Sequence, residues 1–301
     1  AEAPAPKAPM ARPTYGPNEA DISPRVPQCQ REFGVFCKGI TPGRNRLFSC
    51  IARQILKQSK AQVELTPAET LEDLVSSECA AAVHTYRIEL ATHPMTMNYA
   101  MKMQCGRDAN RLCAAEVKAL NATRTMDAEL AVKHCLISHK RQLASNCFKA
   151  VLSVQIAASK DIRLEPRTHQ ACEADLAKLC ANTRPGEGHL RYCLHRHREE
   201  LSGECVEQLF ESEARKAADI RLNPRLAHAC KSDVPRFCDN MEPGSGQIIT
   251  CLALHKRSPH MSHECVRELN AFLQIHTSSF KLDPRIASLC RHDIERSCQP
   301  P

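Results

Sequence analysis

Eighteen cysteines recur along this chain in a fixed rhythm. Five pairs are each separated by seven residues: Cys29 and Cys37, Cys105 and Cys113, Cys172 and Cys180, Cys230 and Cys238, and Cys290 and Cys298. Two more cysteines follow each of the first four pairs: Cys50 and Cys79, Cys135 and Cys147, Cys193 and Cys205, and Cys251 and Cys265. The gaps between one set and the next are 25, 24, 24 and 24 residues. Such a period implies a tandem array rather than one large core. A unit of 58 to 76 residues buries little apolar surface and needs staples or neighbours. The cysteine load implies an oxidising compartment: the secretory pathway, the cell surface, or the mitochondrial intermembrane space.

The units read as helical. Aromatic residues make up only 4% of the chain, Trp is absent and Gly is scarce, which suits short helices packed through Leu, Ile, Val and Ala. Asp161-Ile-Arg-Leu-Glu-Pro-Arg167, Asp219-Ile-Arg-Leu-Asn-Pro-Arg225 and Ser279-Phe-Lys-Leu-Asp-Pro-Arg285 precede three of the cysteine pairs. Asn223-Pro224 and Asp283-Pro284 read as N-cap then first helical residue, with the side-chain oxygen taking an orphan amide. A first helix is expected near 224–238, with Pro235 kinking or breaking it. A second helix runs from about Gly188 to Glu200. Ser202 and Ser262 read as N-caps of a third helix, each with a Glu two residues on in the first turn. The expected fold is therefore all-α, an elongated tandem array of about four and a half disulfide-stapled three-helix repeats. Its parts are a Pro/Ala-rich extended tail (1–28), repeats at 29–91, 92–159, 160–218 and 219–278, and a half repeat at 279–301. The first two repeats carry insertions, between Cys50 and Cys79 and between Cys113 and Cys135.

Helix geometry constrains the pairing. Cysteines eight positions apart on one helix lie about 12 Å apart along its axis and cannot bond to each other. Antiparallel first and second helices bring the second cysteine to the third, and the first to the fourth. This nested scheme gives Cys37–Cys50 and Cys29–Cys79, Cys113–Cys135 and Cys105–Cys147, Cys180–Cys193 and Cys172–Cys205, and Cys238–Cys251 and Cys230–Cys265. A competing scheme joins the fourth cysteine of one repeat to the second of the next, such as Cys205 with Cys238. Cys290 and Cys298 are unassigned in the nested scheme.

Other chemistry finds little footing. Zinc sites bring ligands in close pairs, and the chain has no CxxC. Cys193, His195 and His197 are near in sequence but diverge around a helix. No G-x-S-x-G, P-loop, G-x-G-x-x-G or H-E-x-x-H occurs, and no cysteine stands out as an activated nucleophile, so neither enzyme nor cofactor is expected. An acid lies three residues after the first cysteine of every set: Glu32, Asp108, Asp175, Asp233 and Asp293. We expect these to form structural ion pairs or caps, with Arg25, Arg167, Arg225 and Arg285 as their partners or as interface residues. The net charge of +7 is dispersed, with no basic stripe and no interleaved aromatics, which argues against nucleic acid. No run of 18 apolar residues is present to span a membrane. Asn121-Ala122-Thr123 is the one N-glycosylation sequon and makes Asn121 a candidate glycan site. The chain begins at Ala1 rather than Met, from which removal of a leader or tag is expected.

The unit Asp-Ile-Arg-Leu-x-Pro-Arg, then two cysteines seven residues apart with an acid three after the first, then Gly, then Cys-Leu, then Ser-x-Glu-Cys, resembles the repeat of the Golgi apparatus protein 1 family. Members are also described as cysteine-rich fibroblast growth factor receptors and E-selectin ligands. The resemblance runs over about 24–298 and is tightest in the third and fourth repeats. It implies a non-enzymatic, disulfide-bonded helical array that binds other proteins. No residue identifies a growth factor or a selectin as the ligand here. The reading is a scaffold or accessory component with protein partners, in the secretory lumen or outside the cell. Two alternatives are a secreted ligand-binding ectodomain and an accessory subunit of a mitochondrial membrane complex facing the intermembrane space. The proline-rich tail and the unfinished fifth set both favour a larger assembly, since each needs something to pack against.

Overall fold

The structure, a computed structural model, describes residues 25–43, 45–61, 74–244, 246–277, 282 and 290–297. Most of the proline-rich tail, part of the first insertion, Asp283 to Arg285 and Cys298 lie outside them. Every regular element among the described residues is a helix. The chain divides into two compact units, 1–107 and 108–301.

The first cysteine set falls in the first unit, on α1 (Gln30–Phe36), α2 (Arg46–Ala61) and α3 (Ser77–Thr92). Cys29, Phe33, Ile51, Cys79, Val83 and Leu90 form its core. Then come α4 (Tyr99–Leu112), α5 (Ala114–Thr123), α6 (Met126–Ser138) and α7 (Ser145–Lys160). Helix α5 is the second insertion, and Asn121 sits exposed on it. The third set occupies α8 (Pro166–Leu179), α9 (His189–Arg196) and α10 (Gly203–Lys216). The fourth occupies α11 (Pro224–Ala229), α12 (Asp233–Phe237), α13 (Gln247–His255) and α14 (His263–His276), and α15 (Arg291–Ser297) follows.

Local chemistry explains the joints. Asp161 and Asp219 each accept from the backbone N–H two residues on and hold the guanidinium of Arg163 or Arg221 in a two-pronged ion pair. Each pair closes a single 3₁₀ turn that buries Ile162 and Leu164, or Ile220 and Leu222. Pro166 and Pro224 then occupy the first helical position, where no N–H is needed. Gly188 and Gly246 precede α9 and α13 at φ 80° and 77°, a conformation that Cβ-bearing residues resist. Their amides donate to Lys160 O at 2.9 Å and Ala218 O at 2.8 Å, stitching the start of α9 to the end of α7 and the start of α13 to the turn after α10.

The interruption expected in the helix over 224–238 is present. Two short helices flank a break at Cys230–Ser232, upstream of Pro235, which falls in the first turn of the restart, the place where a missing N–H does least harm. Two other expectations need correction. Asn223 does flank α11, but its side chain makes no cap; its amide turns back and donates to Lys216 O and Asp219 O. The second helix of the third repeat ends at Arg196, and a separate 3₁₀ turn covers 198–200.

Candidate functional site

The cysteine framework sets the register of everything else. Sixteen cysteines are disulfide-bonded, Cys105 and Cys147 among them. The first cysteine meets the fourth in Cys29–Cys79, Cys172–Cys205 and Cys230–Cys265, with Cα separations of 4.8, 4.6 and 4.6 Å. The second meets the third in Cys37–Cys50, Cys113–Cys135, Cys180–Cys193 and Cys238–Cys251, at 5.9 to 6.1 Å. Cys205 and Cys238 thus each bond inside their own repeat. Cys290 carries a free thiol. His139 lies close to Cys113 and Cys135, but those sulfurs are joined and offer no thiolate to a metal.

Asp108 forms the expected kind of ion pair, with Arg111 at 2.7 Å, but three of the recurrent acids meet a serine instead. Glu32, Asp175 and Asp233 accept from both the backbone N–H and the hydroxyl of Ser76, Ser202 and Ser262. Those serine oxygens in turn accept from the amides of Cys79, Cys205 and Cys265. A buried carboxylate thus anchors the N-cap that positions the fourth cysteine. Burial alone would raise the Glu32 carboxyl, but the Ser76 hydrogen bonds hold it below its ordinary value. In the second repeat the serine is replaced by Ala144, whose N–H donates to Asp108 at 2.8 Å. Asp293 is exposed, and Arg296 lies 3.9 Å away. The arginines pair elsewhere: Arg25 with Glu89, Arg167 with Asp127 and Arg225 with Glu268. Arg285 lies outside the described residues.

The register also exposes two equivalent clefts in the second compact unit. Each is walled by the second and third helices of one repeat and by the first and third helices of the next. The first runs between α6, α7, α8 and α10, with Lys133, His134, Gln155, Glu165 and Arg167 on its walls. The second runs between α9, α10, α11 and α14, with Arg191, Tyr192, Glu213, Asn223 and Arg225 at the same five positions. Lys133 and Arg191 each lie two residues before the third cysteine of their set.

A buried ionic cluster separates the clefts. Glu165 accepts from Ser212 at 2.5 Å, pairs with Lys216, and lies 3.3 Å from Arg191. Arg191 also reaches Glu213 at 3.2 Å. His195 and His276 approach Glu213 at 3.6 and 3.8 Å. Burial would raise both carboxyls; Lys216 and Arg191 hold Glu165 far below the usual carboxylate range, and His195 and Arg191 do so for Glu213. Lys216 is pushed down to about 8 by burial and by Arg191, against the pull of the two glutamates. On the rim of the second cleft, Arg225 stacks over Tyr192 at 3.9 Å, and Phe272 stacks on His276 at 3.8 Å.

Known proteins place this arrangement. A family model described as a cysteine-rich repeat matches residues 145–202 and 203–260. Its period is that of the third repeat, but its boundaries fall at the start of the third helix. Golgi apparatus protein 1 of Gallus gallus is 24% identical over 271 residues, covering 90% of this chain and 22% of the relative. The Homo sapiens protein is 22% identical over 270 residues, covering 90% and 22%. The Caenorhabditis elegans homolog is 24% identical over 261 residues, covering 81% and 21%. The chain thus spans about a fifth of the length of the curated relatives it matches. No solved structure matches it. Residues 145–260 thus match two copies of the cysteine-rich repeat, and most of the chain is similar to a stretch of Golgi apparatus protein 1.

Proposed function

We propose that the chain is a non-catalytic binding protein of the secretory-pathway lumen, whose disulfide-closed repeats present their surfaces and clefts to protein partners. One observation carries the reading: sixteen of the seventeen described cysteines are consumed in disulfides. Such a framework persists where thiols are oxidised. The relatives' name supports the Golgi as the compartment. The buried charges support a structural rather than catalytic role, because Glu165, Arg191, Glu213 and Lys216 answer one another. We take 29–91, 92–159, 160–218 and 219–278 as the physical repeats, with 279–301 beginning a fifth. The bonds Cys172–Cys205 and Cys230–Cys265 close within the third and fourth ranges, whereas the family model's boundaries would cut both. The intermembrane-space setting has no counterpart among the relatives named above.

Proximity labelling from the chain expressed in animal cells tests the reading. Lumenal proteins should dominate the labelled set, and Asn121, exposed on α5, should carry an endoglycosidase-sensitive glycan. Labelling of respiratory-chain subunits with an unmodified Asn121 would overturn it.

A further inference from the structure

The first cleft contains a charge that the protein leaves unanswered. Lys133 is 7% exposed, yet its ammonium makes no hydrogen bond or ion pair among the described residues. A largely buried cation with no paired anion is costly to desolvate, which is the ground for reading a ligand site here. Its counterpart Arg191 shows what is missing. Arg191 is met by Glu213, eight residues after the fourth cysteine, where the second repeat has the neutral Gln155. The one carboxylate lining the cleft, Glu165, is already bound by Lys216 and Ser212. Arg167 and Arg215 face the cleft as well; their partners Asp127 and Glu211 are 73% and 50% exposed, where screening leaves ion pairs weak. The first turn of the 14-residue helix α8 also lines the cleft and adds its positive end. Apart from His134 and Thr168, the remaining wall is apolar: Leu130, Ile137, Val154, Ala158 and Pro166.

We propose that this cleft binds a monocarboxylate on an apolar body, its carboxylate paired with Lys133 and its hydrocarbon laid along Leu130, Ile137 and Val154. The inference goes beyond the partner-binding reading. The charge balance favours one negative charge, since Lys133 is the one Lys or Arg lining the cleft that makes no ion pair among the described residues. A bare dianion would match neither that charge nor the apolar wall. In the empty cleft, burial, helped by Arg215 and Arg167 and opposed by Glu165, pushes Lys133 down to about 8. A bound carboxylate would raise it. His134 is pushed down to about 4 by burial and by Lys133, so it is neutral and adds no competing charge.

The probe is sodium octanoate, titrated into the full chain by calorimetry and by amide-resolved NMR. Octanol and inorganic sulfate serve as its neutral and non-apolar counterparts. We expect one saturable octanoate site, with shift changes confined to 130–137, 154–158 and 166–168. Lys133→Met fills the same space without charge and should weaken octanoate by at least about tenfold, while Lys133→Arg stays within about threefold. Affinity should fall as pH rises through about 8. Lys133, His134, Glu165, Arg167, Arg215 and Lys216 all face the cleft, and Lys216 also titrates near 8, so that fall must vanish in Lys133→Met to be assigned to Lys133. No octanoate binding at millimolar concentration, unchanged binding by a folded Lys133→Met chain, or octanol or sulfate binding as tightly as octanoate would each overturn the proposal.

Discussion

The third and fourth repeats share a covalent frame and differ in what they bury. Both close their second and third cysteines over 13 residues, and their outer cysteines over 33 and 35. Both anchor a serine N-cap on a buried aspartate. Yet where the third repeat places Glu165, Arg191, Ser212, Glu213 and Lys216, the fourth has Asn223, Ile249, Phe272, Leu273 and His276. The first repeat fills the Arg191 and Ser212 positions with Phe48 and Tyr86, whose rings meet edge to face at 5.5 Å. Cysteines and caps therefore hold the frame, which leaves the facing positions of the second and third helices free to be aromatic, aliphatic or ionic. The second repeat takes a fourth course, a lone lysine, and that is the position we assign to ligand.

Removing one member of the ionic cluster should separate the two repeats most sharply. Glu165→Ala leaves Lys216 and Arg191 buried without their shared carboxylate and should cost about 3–5 kcal/mol in urea unfolding. Asn223→Ala, at the same position of the fourth repeat, should cost about 1 kcal/mol, the worth of ordinary hydrogen bonds. Equal losses would mean that the cluster adds nothing beyond its frame.

Disulfide removal should show no such contrast. Each 13-residue closure is worth about 3 kcal/mol through the unfolded chain, so paired alanine replacements at Cys180 and Cys193, or at Cys238 and Cys251, should destabilise alike. A gap between them would show that the frames are not interchangeable.

Acid sharpens the comparison again. Glu165 and Glu213 have folded pKa values held below those of the unfolded chain, so their stabilisation is fully present above the unfolded carboxylate range. It is lost as pH falls from there towards the folded values. Amide exchange between pH 5 and pH 2 should therefore open α9 and α10 ahead of α13 and α14. Loss of protection in the opposite order would contradict the assignment. The smallest expected effect is shared by both repeats: Ser202→Ala and Ser262→Ala should each cost about 1 kcal/mol in the same unfolding experiment.

Much of this frame was legible in the sequence, because cysteine spacing and serine caps act locally. Ser202-Gly-Glu-Cys205 announces a helix start by itself, and antiparallel short helices bring the second cysteine to the third. Other features needed contacts that spacing does not encode. The acid after the first cysteine repeats with an arginine nearby, which suggests an ion pair or a cap. Asp108 and Asp293 do pair with Arg111 and Arg296, but Glu32, Asp175 and Asp233 meet a serine 27 to 44 residues away, reached because the disulfides bring the first and third helices together. The Asn223 side chain had two ways to satisfy the chain, and it caps the end of the preceding helix rather than the start of its own. The clefts were hidden for a related reason. Lys133, Gln155 and Glu165 converge only once the helices are stacked, and only the comparison with Arg191, Glu213 and Asn223 shows that a partner is missing.

The third and fourth repeats each close on themselves. Peptide mapping under non-reducing conditions, with free thiols blocked before digestion, tests this closure most directly. The account predicts linked peptides carrying Cys172–Cys205, Cys180–Cys193, Cys230–Cys265 and Cys238–Cys251, with Cys290 recovered in the blocked form. Recovery of Cys205 linked to Cys238, or of most cysteines as blocked thiols, would contradict it.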